Sequence, residues 1–308
     1  MNARLPVTLR DVTLRDGLQD EQPIPTETKL AVFEALVAAG ITDLELTSFV
    51  RPDRVPAMAD AEALCAATAA HAITRWGLVL NARGADRALA AGIDHLQYVV
   101  SVSDTHSAHN SGADAGRAMA GFEAVAALAA GQGAVVELTL ATAFGCPFEG
   151  RVDPDRVVAL ARRAVDGGAA GISLADTIGV AVPTEVASLV DAVRSVAGGT
   201  PTGVHLHDTR GLGVANALAA IDAGIDRVDG SVGGLGGCPF APGASGNLAL
   251  EDLAHALDAM DHPTGASVTG LVDAARLACA AVGRTVDSHV GRAGPRFAAL
   301  APDPGVRS

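Results

Sequence analysis

Lysine is nearly missing from this chain: Lys29 is the only one in 308 residues, and every other basic side chain is an arginine. A Walker A loop needs Gly-Lys-Ser/Thr, and Lys29 lies in the string TETKLAV, so P-loop phosphate chemistry is excluded. Schiff-base aldolases and pyridoxal enzymes need a desolvated lysine in the pocket, whereas Lys29 opens an amphipathic helical stretch. Carbon–carbon chemistry here calls for a metal instead. Aromatic residues are scarce at 3%, and 35 acidic residues against 22 basic ones give a formal charge of −13. Stacking on bases and binding to phosphate backbones or anionic lipid are therefore not expected, which leaves neither nucleic acid nor membrane as a partner. The cysteines, Cys65, Cys146, Cys238 and Cys279, are too widely spaced for a disulfide framework or a CxxC zinc site, so free thiols are expected. No apolar run approaches the roughly 18 residues of a spanning helix, and MNARLPVTLRDV has no export-signal core, which points to the cytoplasm.

What is present is a chain that is 49% apolar and 19% charged, able to bury a large core. Short β-branched runs alternate with longer Ala-rich helical runs, the pattern of parallel strands joined by crossover helices. Four helical stretches end in a small-residue step before an apolar strand, at Gly40, Gly92, Gly171 and Gly224, each glycine read as the helix C-terminal residue. Strands are predicted near 7–14, 41–47, 73–80, 95–101, 134–141, 171–176, 202–207 and 227–231. Eight evenly distributed βα units, with no GxGxxG after the first strand, favour a closed (β/α)8 TIM barrel over an open doubly wound sheet. Helical stretches near 248–260 and 268–283 follow. The expectation is one α/β domain: a barrel over about 7–260, extra C-terminal helices over 261–290 and a loose tail over 291–308.

Functional groups of such barrels sit at the C-terminal ends of the strands. His205-Leu206-His207 puts two imidazoles on one strand face, either converging on an ion or held as core histidines by hydrogen bonds. Asp16 at the end of strand one is a natural further ligand, and Arg15 beside it can hold an anionic oxygen through its forked donors. Glu45 and Asp176 end strands two and six and are expected to point at the same mouth. The glycine-rich loop GGLGGCPFAPGASGN at 233–247 reads as a mobile lid that brings Cys238 over the site and lets Asn247 offer an amide oxygen to a divalent ion. Cys146, in AFGCPFEG, is read as structural, and Asp104-Thr105-His106 with His109 as a solvated loop.

Together these residues resemble the 3-hydroxy-3-methylglutaryl-CoA lyases, within the metal-dependent lyase and synthase barrels. The resemblance covers about 7–285 and is carried by TLRDGLQDE, LELTSF, FGCPFEG, ISLADTIGV, VHLHDT and SVGGLGGCPFAPGASGN. It implies Asp16, His205, His207 and Asn247 as ligands of Mg²⁺ or Mn²⁺. Arg15 and Cys238 match the family's catalytic arginine and loop cysteine, and Glu45 and Asp176 its active-site acids. It further implies Gln19 beside Arg15 in substrate binding, Asp16 or His205 as general base, an acyl-CoA substrate and a homodimer. The departures concern substrate. Gln22 stands where the family often has lysine, Ser107-Ala108-His109-Asn110 replaces a more basic segment, and Phe240 replaces a common tyrosine. Another 3-hydroxyacyl thioester, such as citramalyl-CoA or a longer 3-substituted homologue, fits the same chemistry. A Claisen-type synthase and a catalytically silent barrel are the competing readings.

Overall fold

The structure is a computed structural model that describes residues 7–237, 246–262 and 264–297; Cys238 and Phe240 lie outside the described residues. Its strands are β1 (Thr8–Asp11), β2 (Asp43–Ser48), β3 (Thr74–Val79), β4 (His95–Ser101), β5 (Val135–Ala141), β6 (Gly171–Asp176), β7 (Thr202–Leu206) and β8 (Arg227–Gly230). They close in sequence order, and β1 pairs in parallel with both β2 and β8. The helices are α1 (Thr26–Ala38), α2 (Ala61–Ala67), α3 (Ala82–Ala90), α4 (Asp104–Ser111), α5 (Ala115–Ala130), α6 (Pro154–Asp166), α7 (Pro183–Ala197), α8 (Gly213–Asp222), α9 (Leu250–Ala259), α10 (Val268–Ala281) and α11 (His289–Ala293). No helix among the described residues is long and apolar enough to cross a membrane.

Local chemistry explains the helix limits. Asn81, Asp114 and Asp153 accept a backbone N–H of the first turn of α3, α5 and α6, and Pro154 starts α6, where a missing N–H costs nothing. Gly40, Gly92 and Gly224 carry φ of 93°, 79° and 89°, the left-handed turn that releases each helix into the next strand. Gly171 does not follow that expectation. Gly168, at φ 87°, makes this turn, and Gly171 is the first residue of β6, where a Cβ would stand 2.9 Å from Glu137 Oε2.

Strand one is shorter than expected. It stops at Asp11, whose carboxylate accepts the Thr13 backbone N–H (2.9 Å) and Oγ1–H (2.7 Å), and Thr13–Gly17 winds into one π-helical turn. Arg15 and Asp16 are thus set by a wide turn, a form found frequently at functional sites. β7 also ends early: His207 leaves the sheet and makes an isolated antiparallel bridge with Asn247. The tail retains order further than expected, since α11 runs to Ala293.

The lower half of the barrel interior is charged rather than aliphatic. Arg10 on β1 reaches across to Glu137 on β5 (Nη1 to Oε1 3.0 Å), and Arg227 on β8 grips the same carboxylate in a fork at 2.5 and 2.7 Å. Arg10 Nε donates to Asp43 (2.6 Å), Arg227 Nε donates to Asp229 (2.8 Å), and the Arg10 guanidinium lies 3.9 Å from the Trp76 ring centroid. Buried charge is tolerated when paired and hydrogen-bonded in this way. Lys29 is likewise buried, donating to Ala57 O (2.6 Å) and pairing with Asp60, away from the barrel mouth.

Candidate active site at the barrel mouth

Above the charged layer opens a cavity of about 1330 Å³, lined at its floor by Arg15, Asp16, Gln19, His205 and His207. β7 supplies His205, the bridge to Asn247 just beyond the strand holds His207, and the π-helical turn supplies Arg15 and Asp16. His205 Nε2 and His207 Nε2 are 3.3 Å apart, and each is 3.8 Å from Asp16 Oδ2. Asn247, drawn in by its bridge to His207, donates from Nδ2 to the same Asp16 oxygen at 2.7 Å. Arg15 pairs with Asp16 Oδ1 through Nη1 and with Glu45 through Nη2 (2.7 Å), and Gln19 Nε2 donates to Asp16 Oδ1 at 3.4 Å.

Electrostatics divide the cluster. Burial disfavours the Asp16 charge, but Arg15 and both imidazoles outweigh it and hold the carboxyl well below the ordinary range. Burial would strip the proton from His205, yet the carboxylates of Asp229 and Asp16 raise its pKa. His207 is pushed down to about 4 by burial and by the neighbouring His205. Burial raises Glu45, with Arg15 opposing.

Asp16, His205 and His207 form the one cluster of three metal-ligating side chains among the described residues, their ligand atoms all within 4.8 Å of one another. Neighbouring ligands of an octahedral cation at ~2.1 Å lie about 3 Å apart and opposite ones about 4 Å, so the 3.3 and 3.8 Å edges fit a shared ion. Asn247 Oδ1 and His207 Nδ1 are buried with no hydrogen-bond partner, and two imidazole nitrogens face each other with a carboxylate beside them. Two nitrogens and carboxylate and amide oxygens suit a divalent ion.

The structure places Asp176 differently from the expectation. It lies on the face of β6 turned away from the cavity, accepting the backbone N–H groups of Val180 (3.0 Å) and Ala181 (2.9 Å), so it shapes the β6–α7 connection. Glu45 does reach the site, but from behind Arg15. The supposed solvated loop at 104–109 is the helix α4, capped by Ser103, with His106 buried and both His106 and His109 lining the cavity. Cys146 is buried, 2.9 Å from Ser103 Oγ, and accepts N–H groups of Phe148 (3.3 Å) and Glu149 (3.4 Å).

The entry to the glycine-rich loop is braced by two buried acids that sequence reasoning did not single out. Glu251 accepts the Gly233 N–H (2.9 and 3.1 Å), and Asp11 holds Thr13, whose Oγ1 accepts the Val232 N–H (2.9 Å). Burial pushes both carboxyls up to about 7.

With this geometry in place, comparison with known proteins is decisive. The HMGL-like family model matches residues 6–278. The chain belongs to the HMGL-like family. An (R)-citramalyl-CoA lyase from Chloroflexus aurantiacus is 40% identical over 94% of this HMGL-like chain and 96% of its own length. A hydroxymethylglutaryl-CoA lyase from Bacillus subtilis is 36% identical over 88% of this chain and 91% of its own. Among solved structures, an HMG-CoA lyase from Acinetobacter baumannii in complex with coenzyme A and 3-methylmalate superposes with a TM-score of 0.92, at 37% identity, covering 99% of this chain and 100% of that one. The (β/α)8 barrel expected from the sequence is thus the fold of this HMGL-like protein.

Proposed function

We propose that the protein is a divalent-metal-dependent carbon–carbon lyase that cleaves a 3-hydroxy-3-methylglutaryl-CoA-like thioester to acetyl-CoA and a keto acid. The observation that carries this reading is the Asp16–His205–His207 cluster beside Arg15 at the floor of the cavity. Asp16, His205, His207 and Asn247 would hold Mg²⁺ or Mn²⁺. When bound, the cation lowers the pKa of the substrate 3-hydroxyl and orients it with an adjacent oxygen.

The residues do the rest. Asp16 accepts the hydroxyl proton, because His205, the other base considered, has one ring nitrogen turned to the cation site and the other to Asp229. As the alkoxide becomes a ketone, the C2–C3 bond breaks and its electron pair passes to the thioester as an enolate. Arg15, locked by Glu45 and Asp16, presents its guanidinium to that developing charge, and Gln19 supports the substrate beside it. Cys238 or a water trapped under the loop returns a proton to C2. Exclusion of bulk water strengthens these interactions and protects the enolate. Asp176 enters this reading as a positioning residue for the β6–α7 connection. A homodimer located in the cytoplasm is part of the same proposal, the dimer to be checked by light scattering.

A second reading, cleavage of citramalyl-CoA, is favoured by the 40% identity to a lyase of that name. Release of acetyl-CoA from each thioester, with Mg²⁺ or Mn²⁺ and with EDTA, separates the two. Metal-dependent cleavage of 3-hydroxy-3-methylglutaryl-CoA, lost in Arg15→Gln, is the expected result. Cleavage of citramalyl-CoA alone would transfer the assignment to the second reading.

A further inference from the structure

Asp229 belongs to both halves of the barrel interior. It stands directly across from His205 in the β7–β8 register. Its Oδ1 accepts the Arg227 Nε–H at 2.8 Å. Its Oδ2 is buried with no hydrogen-bond partner and faces His205 Nδ1 at 3.6 Å. A buried carboxylate oxygen left over in this way calls for a reason, and the ring nitrogen in front of it supplies one.

We propose that Asp229 is a positioning residue for His205, and that Arg227 fixes Asp229 in that role. The carboxylate keeps the His205 proton on Nδ1, which leaves the Nε2 lone pair directed at the space shared with Asp16 and His207. Metal-binding histidines are commonly set by a carboxylate on the opposite ring nitrogen. The barrel is built to hold this support. A Cβ on Gly203, two residues before His205 on the same face of β7, would collide with the Arg227 guanidinium and stand 2.7 Å from its Cζ. Gly171 leaves equivalent space for Glu137. The fork from Arg227 to Glu137, itself bound by Arg10, prevents the guanidinium from following a movement of Asp229. The chain therefore spends its lower layer on orienting one imidazole of the upper one.

The role toward a cation rests on the function proposed above; the role toward the His205 tautomer does not, and the test keeps them apart. Nitrogen-detected histidine NMR on the metal-free protein, at a pH high enough for the His205 ring to be neutral and with His205 assigned by its loss in His205→Gln, is expected to show the Nδ1–H tautomer. In Asp229→Asn an Nε2–H population should appear, and Mn²⁺ affinity by calorimetry should fall about 10–100-fold. Asp43→Asn, at the outer end of the same charge network, should leave the tautomer as in wild type. The proposal is overturned if folded Asp229→Asn keeps the wild-type tautomer, or if Asp43→Asn shifts it equally. Should Asp229→Asn fail to fold, Arg227→Lys decides: a partial shift in the same direction supports the proposal, and an unchanged tautomer overturns it. Wild type that shows the tautomer but binds no Mn²⁺ would overturn the cation reading while leaving the Asp229–His205 contact established.

Discussion

The two halves of the barrel interior are both charged, yet they treat charge in opposite ways. In the lower half, Glu137 is forked by Arg227 and bound by Arg10, and the Nε–H groups of Arg10 and Arg227 donate to Asp43 and Asp229. In the upper half, Asp16 faces two imidazoles at 3.8 Å, and Arg15 Nε, His207 Nδ1 and Asn247 Oδ1 are buried without hydrogen-bond partners. A network paired at all but Asp229 Oδ2 fixes a structure, whereas a cluster with several polar atoms left without partners is poised to take a ligand. Loss of a charge below should therefore appear as stability, and loss above as turnover.

The largest effect is expected from Glu137→Gln, which leaves Arg10 and Arg227 buried around a neutral amide. Urea denaturation should show a loss of about 3–5 kcal/mol. Wild-type stability in this variant would mean that the lower layer is not the structural half. Next comes Arg15→Gln in the upper half, where removal of the enolate-stabilising donor should lower kcat about 10²–10³-fold. A variant with wild-type turnover would remove Arg15 from the chemistry.

Outside both halves, bracing the entry to the glycine-rich loop, lie Asp11 and Glu251, whose folded pKa values of about 7 exceed ordinary carboxylate values. Between about pH 4.5 and 7 the folded state holds protons that the unfolded state has released. Their contribution to stability is thus present at acid pH and lost as pH rises through 7. Glu251→Gln should flatten this dependence by roughly 3 kcal/mol, read from urea midpoints at pH 5 and pH 8. An unchanged slope would place the titration elsewhere. The smallest effect is expected from Asp176→Asn, which keeps one oxygen for the Val180 and Ala181 N–H groups. It should cost about 1 kcal/mol and change kcat only a few-fold. A thousand-fold loss of kcat would put Asp176 back at the reacting atoms.

The sequence disclosed the barrel through its alternation, and β6 falls on the expected 171–176. It pointed to the candidate metal cluster because His205 and His207 stand two residues apart at the end of β7 and because an acid, Asp16, follows strand one. It concealed the direction of Asp176. Strands of a parallel barrel are buried on both faces, so GISLAD shows no polar–apolar alternation from which inside and outside can be told. Four charges within otherwise apolar strands, Arg10, Glu137, Arg227 and Asp229, were the visible trace of the lower layer, but their pairing crosses the barrel and exists only after closure. Asp104-Thr105-His106 with His109 looked like a loop because its residues are polar; it is a helix capped by Ser103, and the helix carries His106 and His109 to the cavity. The turn at Thr13–Gly17 depends on Asp11 bonding Thr13, a local bond that competes with continuing the strand.

The most direct test of the division between the halves is anomalous diffraction from crystals soaked in Mn²⁺. The account predicts one strong peak bounded by Asp16, His205, His207 and Asn247, with none in the arginine layer below. Saturating Mn²⁺ that gives no peak there, or a peak placed elsewhere in the barrel, would contradict it.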